Sequence, residues 1–410
     1  MSRKEGSTEG ESSSNWANIV GDVLRCIADK THSVQDRTRM GTVCRSWQAS
    51  LKDKQIIFPI CLMLAEKEDS DKRCFYNISE EIFIELELPE IRGRRCWGSP
   101  FGWLITCGLD LEIQLFNPLS RANLALPPLN TFTHRKHWQN RTSEDVRNYF
   151  IKKLLLSSNP ASPDCFVFAI YSEYNFLAIA KPGDNKAWTP INVAPTPIEA
   201  THIIRFDDVI CFNGSFFAVR DSGQLFLCQD IDASHPNAVE FASVPPTWSP
   251  RDAGWTKYLV DMGGNLCVLS RIIQPYGYTS DIGEGFTSDS EEEIEIFTSD
   301  NEGGDNFFTK EFHIFKLNMQ TRNWERILSL GDRSLFLGNC YTFSVIAADY
   351  HGCMSNCIYV TNDYLHSGGS DIGIYNCEKK ETLDLFPKLD DRQYLQSSFS
   401  PPLWFIHCPH

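Results

Sequence analysis

Apolar side chains recur at helical spacing over residues 16–54. From Phe58 onward they change to short runs of four to six residues, separated by turn formers. In the first stretch Val23, Leu24, Ile27 and Ala28 follow a 3.6-residue period behind Asp22, a residue suited to capping a helix N-terminus. A polar break over Thr31–Gln35 precedes a second helical stretch through Arg37, Met40 and Val43, which continues through Cys44, Trp47 and Leu51. Three short helices within about 40 residues bury little apolar surface by themselves, so the unit is expected to need a partner surface.

The remainder reads as strands. Val209–Phe212, Asn213-Gly214 and Ser215–Val219 predict a hairpin, since Asn-Gly is well suited to a two-residue turn with both central φ angles positive. Similar hairpins are predicted around Asp221–Gly223 and around Gly263-Gly264-Asn265. Only Asp145–Leu156 has the pattern of an amphipathic helix, and the body is therefore predicted to be all-β.

A repeated unit refines this prediction. Asn117-Pro-Leu-Ser-Arg121, Asn318-Met-Gln-Thr-Arg322 and Asn376-Cys-Glu-Lys-Lys380 each join an apolar run to a second one. Lys186-Ala-Trp188 and Ala238-Val-Glu-Phe241 fall where two degenerate copies would lie. A unit recurring about every 50–60 residues points to a β-propeller of five to seven four-stranded, kelch-like blades over residues 58–405. Asn-initiated turns also occur in unrelated β proteins, so the turns alone leave other β architectures open.

Charge changes the picture in one place. The formal net charge is −15, but ten negative charges and no Lys or Arg lie between Arg271 and Lys310, leaving −5 for the rest. Residues 280–306 are expected to be a solvated acidic insertion within a blade. In it, Ser288 and Ser290 precede acids and are candidates for phosphorylation by acid-directed kinases. An acidic chain repels polyanions, so neither nucleic acid nor an anionic membrane is an expected partner. Residues 1–14 form a polar tail with no apolar signal core, and fifteen scattered cysteines lack the even, patterned set of a disulfide scaffold. Cytoplasm, nucleus or both is the expected location.

Known catalytic patterns are absent. There is no Walker-type phosphate loop and no Gly-x-Ser-x-Gly elbow. His134 and His137 lack the Glu of a zincin, and His351, Cys353 and Cys357 have no second pair downstream, so no metal site is assigned. No cofactor and no catalytic residue are assigned either. A propeller enzyme would gather acids or histidines at its channel, a convergence that linear sequence does not display.

Two segments resemble known families. Trp16-Ala-Asn-Ile19-Val20-Gly-Asp22-Val23-Leu24, Ile27, Asp36-Arg37 and Val43-Cys44-Arg45-Ser46-Trp47 resemble an F-box over residues 15–54, with Ile19-Val20 in place of the usual opening Leu-Pro. Arg95-Cys-Trp-Gly-Ser-Pro-Phe-Gly-Trp103-Leu104, Leu115–Ala122, Leu126–Leu129, Ile358–Asp363 and Pro401-Pro-Leu-Trp-Phe405 resemble the plant F-box proteins that carry a KIB-type β-propeller.

The resemblance implies a substrate-recognition subunit of a Skp–cullin–F-box ubiquitin ligase. In that role the helices dock on the Skp adaptor, and through it on cullin, while the propeller holds a target protein. Ile19, Val23, Leu24, Ile27, Met40, Val43 and Trp47 are the candidate docking residues; any one of them could instead pack inside the helical unit or against the propeller, and the set as a whole favours the adaptor interface. A non-ubiquitin interaction scaffold is the alternative, and a propeller enzyme ranks below both. No residue set is assigned to target binding. Trp138, Trp248, Trp255 and Tyr276 are candidates for it, but they suit blade packing better.

Overall fold

Short turns make the preceding apolar run the nearest source of backbone hydrogen bonds, so consecutive strands pair antiparallel. The computed structural model describes residues 19–30, 40, 43–52, 59–67, 70–184, 186–193, 205–246, 248, 256–275, 307–338, 340–361, 372–385, 397 and 399–406. The chain divides into a helical unit ending at Phe58 and a β unit over Pro59–Cys408.

The β unit is a six-bladed propeller. Blade 1 holds β1 (Cys61–Met63), β2 (Lys72–Asn77) and β3 (Ile82–Glu87); blade 2 holds β4 (Arg95–Gly98), β5 (Leu104–Cys107), β6 (Ile113–Phe116) and β7 (Asn123–Ala125). Blade 3 holds β8 (Ile151–Leu156), β9 (Val167–Tyr171), β10 (Phe176–Ala180) and β11 (Thr189–Pro190). In blade 4, β12 (Asn192–Val193) adds to the outer edge of β13 (Phe206–Phe212), β14 (Ser215–Arg220), β15 (Leu225–Gln229) and β16 (Asn237–Ala242). Blade 5 is β17 (Lys257–Asp261), β18 (Leu266–Pro275), β19 (Phe307–Leu317) and β20 (Trp324–Ile327). Blade 6 is β21 (Arg333–Leu337), β22 (Phe343–Ile346), β23 (Cys357–Val360), β24 (Gly373–Asn376) and β25 (Glu381–Asp384). Finally β26 (Leu403–Phe405) returns to blade 1 and pairs with β1, Leu62 opposite Trp404.

Burial falls from the inner strands to the outer ones. Strands β4, β5 and β9 are buried at every position, whereas β3, β7 and β25 are mostly exposed or half-buried. An inner strand packs a neighbouring blade on each face, which favours an unbroken apolar run over alternation. Continuous apolar clusters accordingly fill the interfaces between blades, Leu155, Phe168 and Phe226 between blades 3 and 4, for example. Four indoles tie blades together by donating across an interface: Trp97 to the Lys152 carbonyl (3.3 Å), Trp188 to Pro127 (2.8 Å), Trp324 to Ser243 (2.6 Å) and Trp404 to Leu337 (3.0 Å). Gly98 follows from the same closeness, because a Cβ there would lie 2.6 Å from the Trp404 carbonyl oxygen.

The repeated Asn segments are the last hairpin turns of blades 2, 5 and 6. In each, the Asn Oδ1 accepts two backbone N–H bonds at 2.9–3.1 Å, and the basic residue closes back on the Asn carbonyl at 2.8 Å. Arg121, Arg322 and Lys380 all adopt positive φ (63°, 57° and 55°), which explains a fixed five-residue spacing rather than mere turn composition. A fourth copy escapes the sequence pattern because its last residue is acidic: Asn77 accepts from the Ser79 N–H, and Glu81 has φ 53°. The degenerate copies fall in the outer parts of blades 3 and 4, as expected.

The predicted hairpins form at Asn213-Gly214 (φ 49° and 74°), Asp221–Gly223 and Gly263-Gly264. One expectation fails. Asp145–Leu156 is not one continuous helix: an α-helical turn over Ser143–Asp145 runs into a π-helical turn over Val146–Phe150, and β8 begins at Ile151. The apolar run there serves an inner strand, whose two buried faces mimic the density of an amphipathic helix. The tail 1–14 and the acidic stretch 280–306, with Ser288 and Ser290, lie outside the described residues, as do Trp255 and Tyr276.

Candidate functional site

The helical unit contains α1 (Gly21–Lys30) and α2 (Arg45–Lys52). Asp22 sits in the first turn of α1 rather than at its cap, where its charge still favours the positive end of the helix dipole, and it pairs with Arg25. Arg25 also donates to the Ser50 carbonyl at 3.0 Å and so ties α1 to α2. The predicted middle helix lies largely outside the described residues, although Met40 is placed.

The seven candidate docking residues separate into two sets. Leu24, with Ala28 and Leu51, forms the unit's own core, and Ile19, Met40 and Trp47 pack against it. Leu24 is fully buried (0%), so its side chain belongs to that core and not to an open face. By contrast Val23, Ile27 and Val43 are exposed at 49%, 41% and 60%. Val20, which was not among the candidate residues, is exposed at 64%. Val20 immediately precedes α1, and positions 20, 23 and 27, spaced i, i+3, i+7, follow one side of it, beside the inward stripe of Leu24 and Ala28. Apolar residues so exposed on so small a unit form a surface suited to helix-in-groove contact.

A second site lies in the propeller. The opening residues of β4, β8, β13 and β17 line one cavity of about 220 Å³, so these inner strands enter the channel at the same end. Two consecutive acids hold its wall. The Asp207 carboxylate accepts from Lys152 Nζ at 2.7 Å and the Lys257 N–H at 3.1 Å. Asp208 meets Lys153 Nζ at 2.6 Å and accepts the Leu259 and Val209 N–H groups at 2.9 and 2.8 Å. Blade 4 is thereby clamped to blade 3 on one side and blade 5 on the other. Register shifts between Ile151 and Lys153 and between Phe206 and Asp208 mark bulges at both ends of the clamp. A bulge breaks the strict alternation of faces and lets adjacent residues reach related positions. Burial raises the Asp208 carboxyl above its ordinary value, opposed by the Lys153 ammonium and the two N–H groups.

Neither pair of neighbours was found by sequence reasoning. The available signal is a charged dipeptide opening an apolar strand, Lys152-Lys153 before Leu154 and Asp207-Asp208 before Val209.

The remaining residues singled out in the sequence are engaged elsewhere. Trp138 packs edge-on to Phe150 and donates to Glu173 at 2.6 Å, and Trp248 packs edge-on to Phe315. His134 packs at a tilt against Phe176, His351 bonds the Ser79 carbonyl at 2.9 Å, and Cys353 donates to Ser334 at 3.2 Å. Among the described residues no three His, Cys, Asp or Glu side chains come together as a metal cluster. The fourteen described cysteines are free thiols, and no described helix is long and apolar enough to cross a membrane.

The family model described as the KIB1-4 β-propeller matches residues 75–376. The F-box protein SKIP23 of Arabidopsis thaliana is 23% identical over 95% of this chain and 95% of its own length. The Arabidopsis F-box protein At2g26160 is also 23% identical, over 85% of this chain and 96% of its own.

Proposed function

The chain belongs to the KIB1-4 β-propeller family, and on that premise we propose that it is the non-catalytic substrate-recognition subunit of a Skp–cullin–F-box ubiquitin ligase. The helical unit docks on the Skp adaptor, and the propeller holds a target protein within reach of the ubiquitin-conjugating enzyme that the cullin carries. Holding target and enzyme together raises their effective concentration, so the chain itself needs no reacting group. The relatives' F-box names support this reading, but the observation that carries it is the exposed apolar stripe of Val20, Val23 and Ile27, with Val43. The unit's own core is filled by Leu24, Ala28 and Leu51, and these exposed side chains lie outside it.

The test is recovery of the Skp adaptor and cullin on full-length protein, wild type against Val23→Asp with Val43→Asp. Burying one valine contributes about 1.5 kcal/mol, so losing two is expected to weaken binding at least about a hundredfold. Both positions are exposed, so far-ultraviolet circular dichroism is expected to stay unchanged. Equal recovery of the adaptor from both proteins would sink the docking assignment.

A further inference from the structure

Arg95 opens β4 and is buried to 1% exposure. Its Nε and Nη1 atoms have no hydrogen-bond partner among the described residues. The guanidinium lies over its own strand neighbour, with Cζ 5.0 Å from the Trp97 ring centroid. Among the described residues no carboxylate compensates it: the ionisable groups that bear on it are Cys107, Cys340, Tyr149 and a second guanidinium, Arg147. Burial lowers the Arg95 pKa to about 10, which still leaves it charged at neutral pH. A buried cation with two unbonded donor atoms is costly, and proteins seldom keep one without a counter-charge.

Both acids that line the same cavity are committed elsewhere. Asp207 is held by Lys152 and the Lys257 N–H, and Glu173 accepts from Trp138 and Ser172. Lys153, which also lines the cavity, is neutralised by Asp208. Across the channel Tyr258, at the start of β17, lines the cavity too, and its buried hydroxyl has no partner among the described residues. Arg95 stands on blade 2 and Tyr258 on blade 5, opposite positions in a ring of six.

We infer that this cavity binds a small phosphoryl-bearing anion, held by Arg95 from one wall and by Tyr258 from the other. The fork of a guanidinium matches two oxygens of such a group, and a tetrahedral centre presents further oxygens to the opposite wall. A planar carboxylate held by both oxygens on the guanidinium has no third oxygen to turn to the opposite wall. At about 220 Å³ the cavity admits a phosphate with a small substituent. The site does not depend on whether the helical unit docks on an adaptor, and its test involves none of that unit's residues.

Full-length protein is titrated with sodium phosphate by calorimetry and by thermal melting, against sodium chloride and sodium acetate at matched ionic strength. Phosphate is expected to give a saturable heat and to raise Tm by several degrees over chloride. Tyr258→Phe is expected to weaken phosphate binding about tenfold, the loss of one hydrogen bond to a charged group. Arg95→Met is expected to abolish the phosphate effect and, in chloride alone, to melt no lower than wild type, because it removes an uncompensated buried charge. A guanidinium with a merely structural role would instead leave Arg95→Met less stable in chloride.

The inference is overturned if phosphate adds nothing over chloride, if Arg95→Met responds like wild type, or if it melts lower in chloride. An equal response to acetate overturns the phosphoryl assignment. Failure of Arg95→Met to fold is the extreme of that lower melt and overturns the inference as well, and unchanged phosphate affinity in Tyr258→Phe overturns it independently.

Discussion

Leu24 and Val23 are adjacent in α1, yet one fills the core of the helical unit and the other faces solvent. Their periodicity is readable in the sequence, but the direction of each stripe is not, because a second helix decides which stripe it covers. The same holds for Lys153 and Asp208. Each looks like a surface residue by type, and together they form a buried pair at 2.6 Å with 5% and 1% exposure. Removing one partner strands the other charge away from water, which costs far more than the intact pair contributes. Lys153→Met is therefore expected to destabilise the propeller by about 3–5 kcal/mol, read from urea denaturation of the full chain. A loss below about 1 kcal/mol, the range of an exposed ion pair, would show that the pair is solvated.

At the scale of elements, the closing strand governs whether the ring is a ring. Strand β26 is only three residues long, yet it completes blade 1 from the far end of the chain and sets Trp404 against Phe336 and Tyr359. The Pro401–Phe405 segment was legible as a family feature, whereas its pairing with Cys61–Met63 joins residues more than 300 positions apart and has no local signal. Trp404→Ala removes a fully packed indole and its bond to the Leu337 carbonyl. It is expected to cost about 3–5 kcal/mol, seen as a lower denaturation midpoint with a single transition retained. An unchanged midpoint would mean that blade 1 does not depend on β26. The Asn turns behave oppositely. Each is made within five residues, and so the sequence displayed three of the four.

Over the whole molecule, thiol chemistry reports on the packing of the blades. Burial pushes Cys61, Cys107, Cys228 and Cys267 up to about 12, and Cys96 and Cys340 up to about 11, from an ordinary value of 9.0. Because the thiolate is the nucleophile, iodoacetamide at pH 8 is expected to label exposed Cys26 promptly and these six only as the propeller unfolds. Mass spectrometry over time would show it, and labelling of the six at the rate of Cys26 would contradict it. The same shifts set a pH limit. The folded pKa values lie above the unfolded ones, so this contribution to stability is complete below pH 9 and is lost as pH climbs from 9 toward 12. A Tm that stays flat from pH 8 to 11 would refute this.

What the amino-acid sequence determined alone is whatever a few neighbouring residues decide. That includes the helical period before residue 54, the hairpins at Asn213-Gly214 and Gly263-Gly264, the Asn turns, and the placing of ten negative charges in one stretch. These depend on local φ preferences and on side chains reaching their own backbone. The tertiary structure alone decided the number of blades, the closure by β26, the inward turn of Leu24, the Asp207-Asp208 clamp and the confrontation of Arg95 with Tyr258 across the channel. Each of these joins residues far apart in the chain, and burial strengthens their charges and makes unmatched ones costly. That environment exists only once six sheets close around one axis.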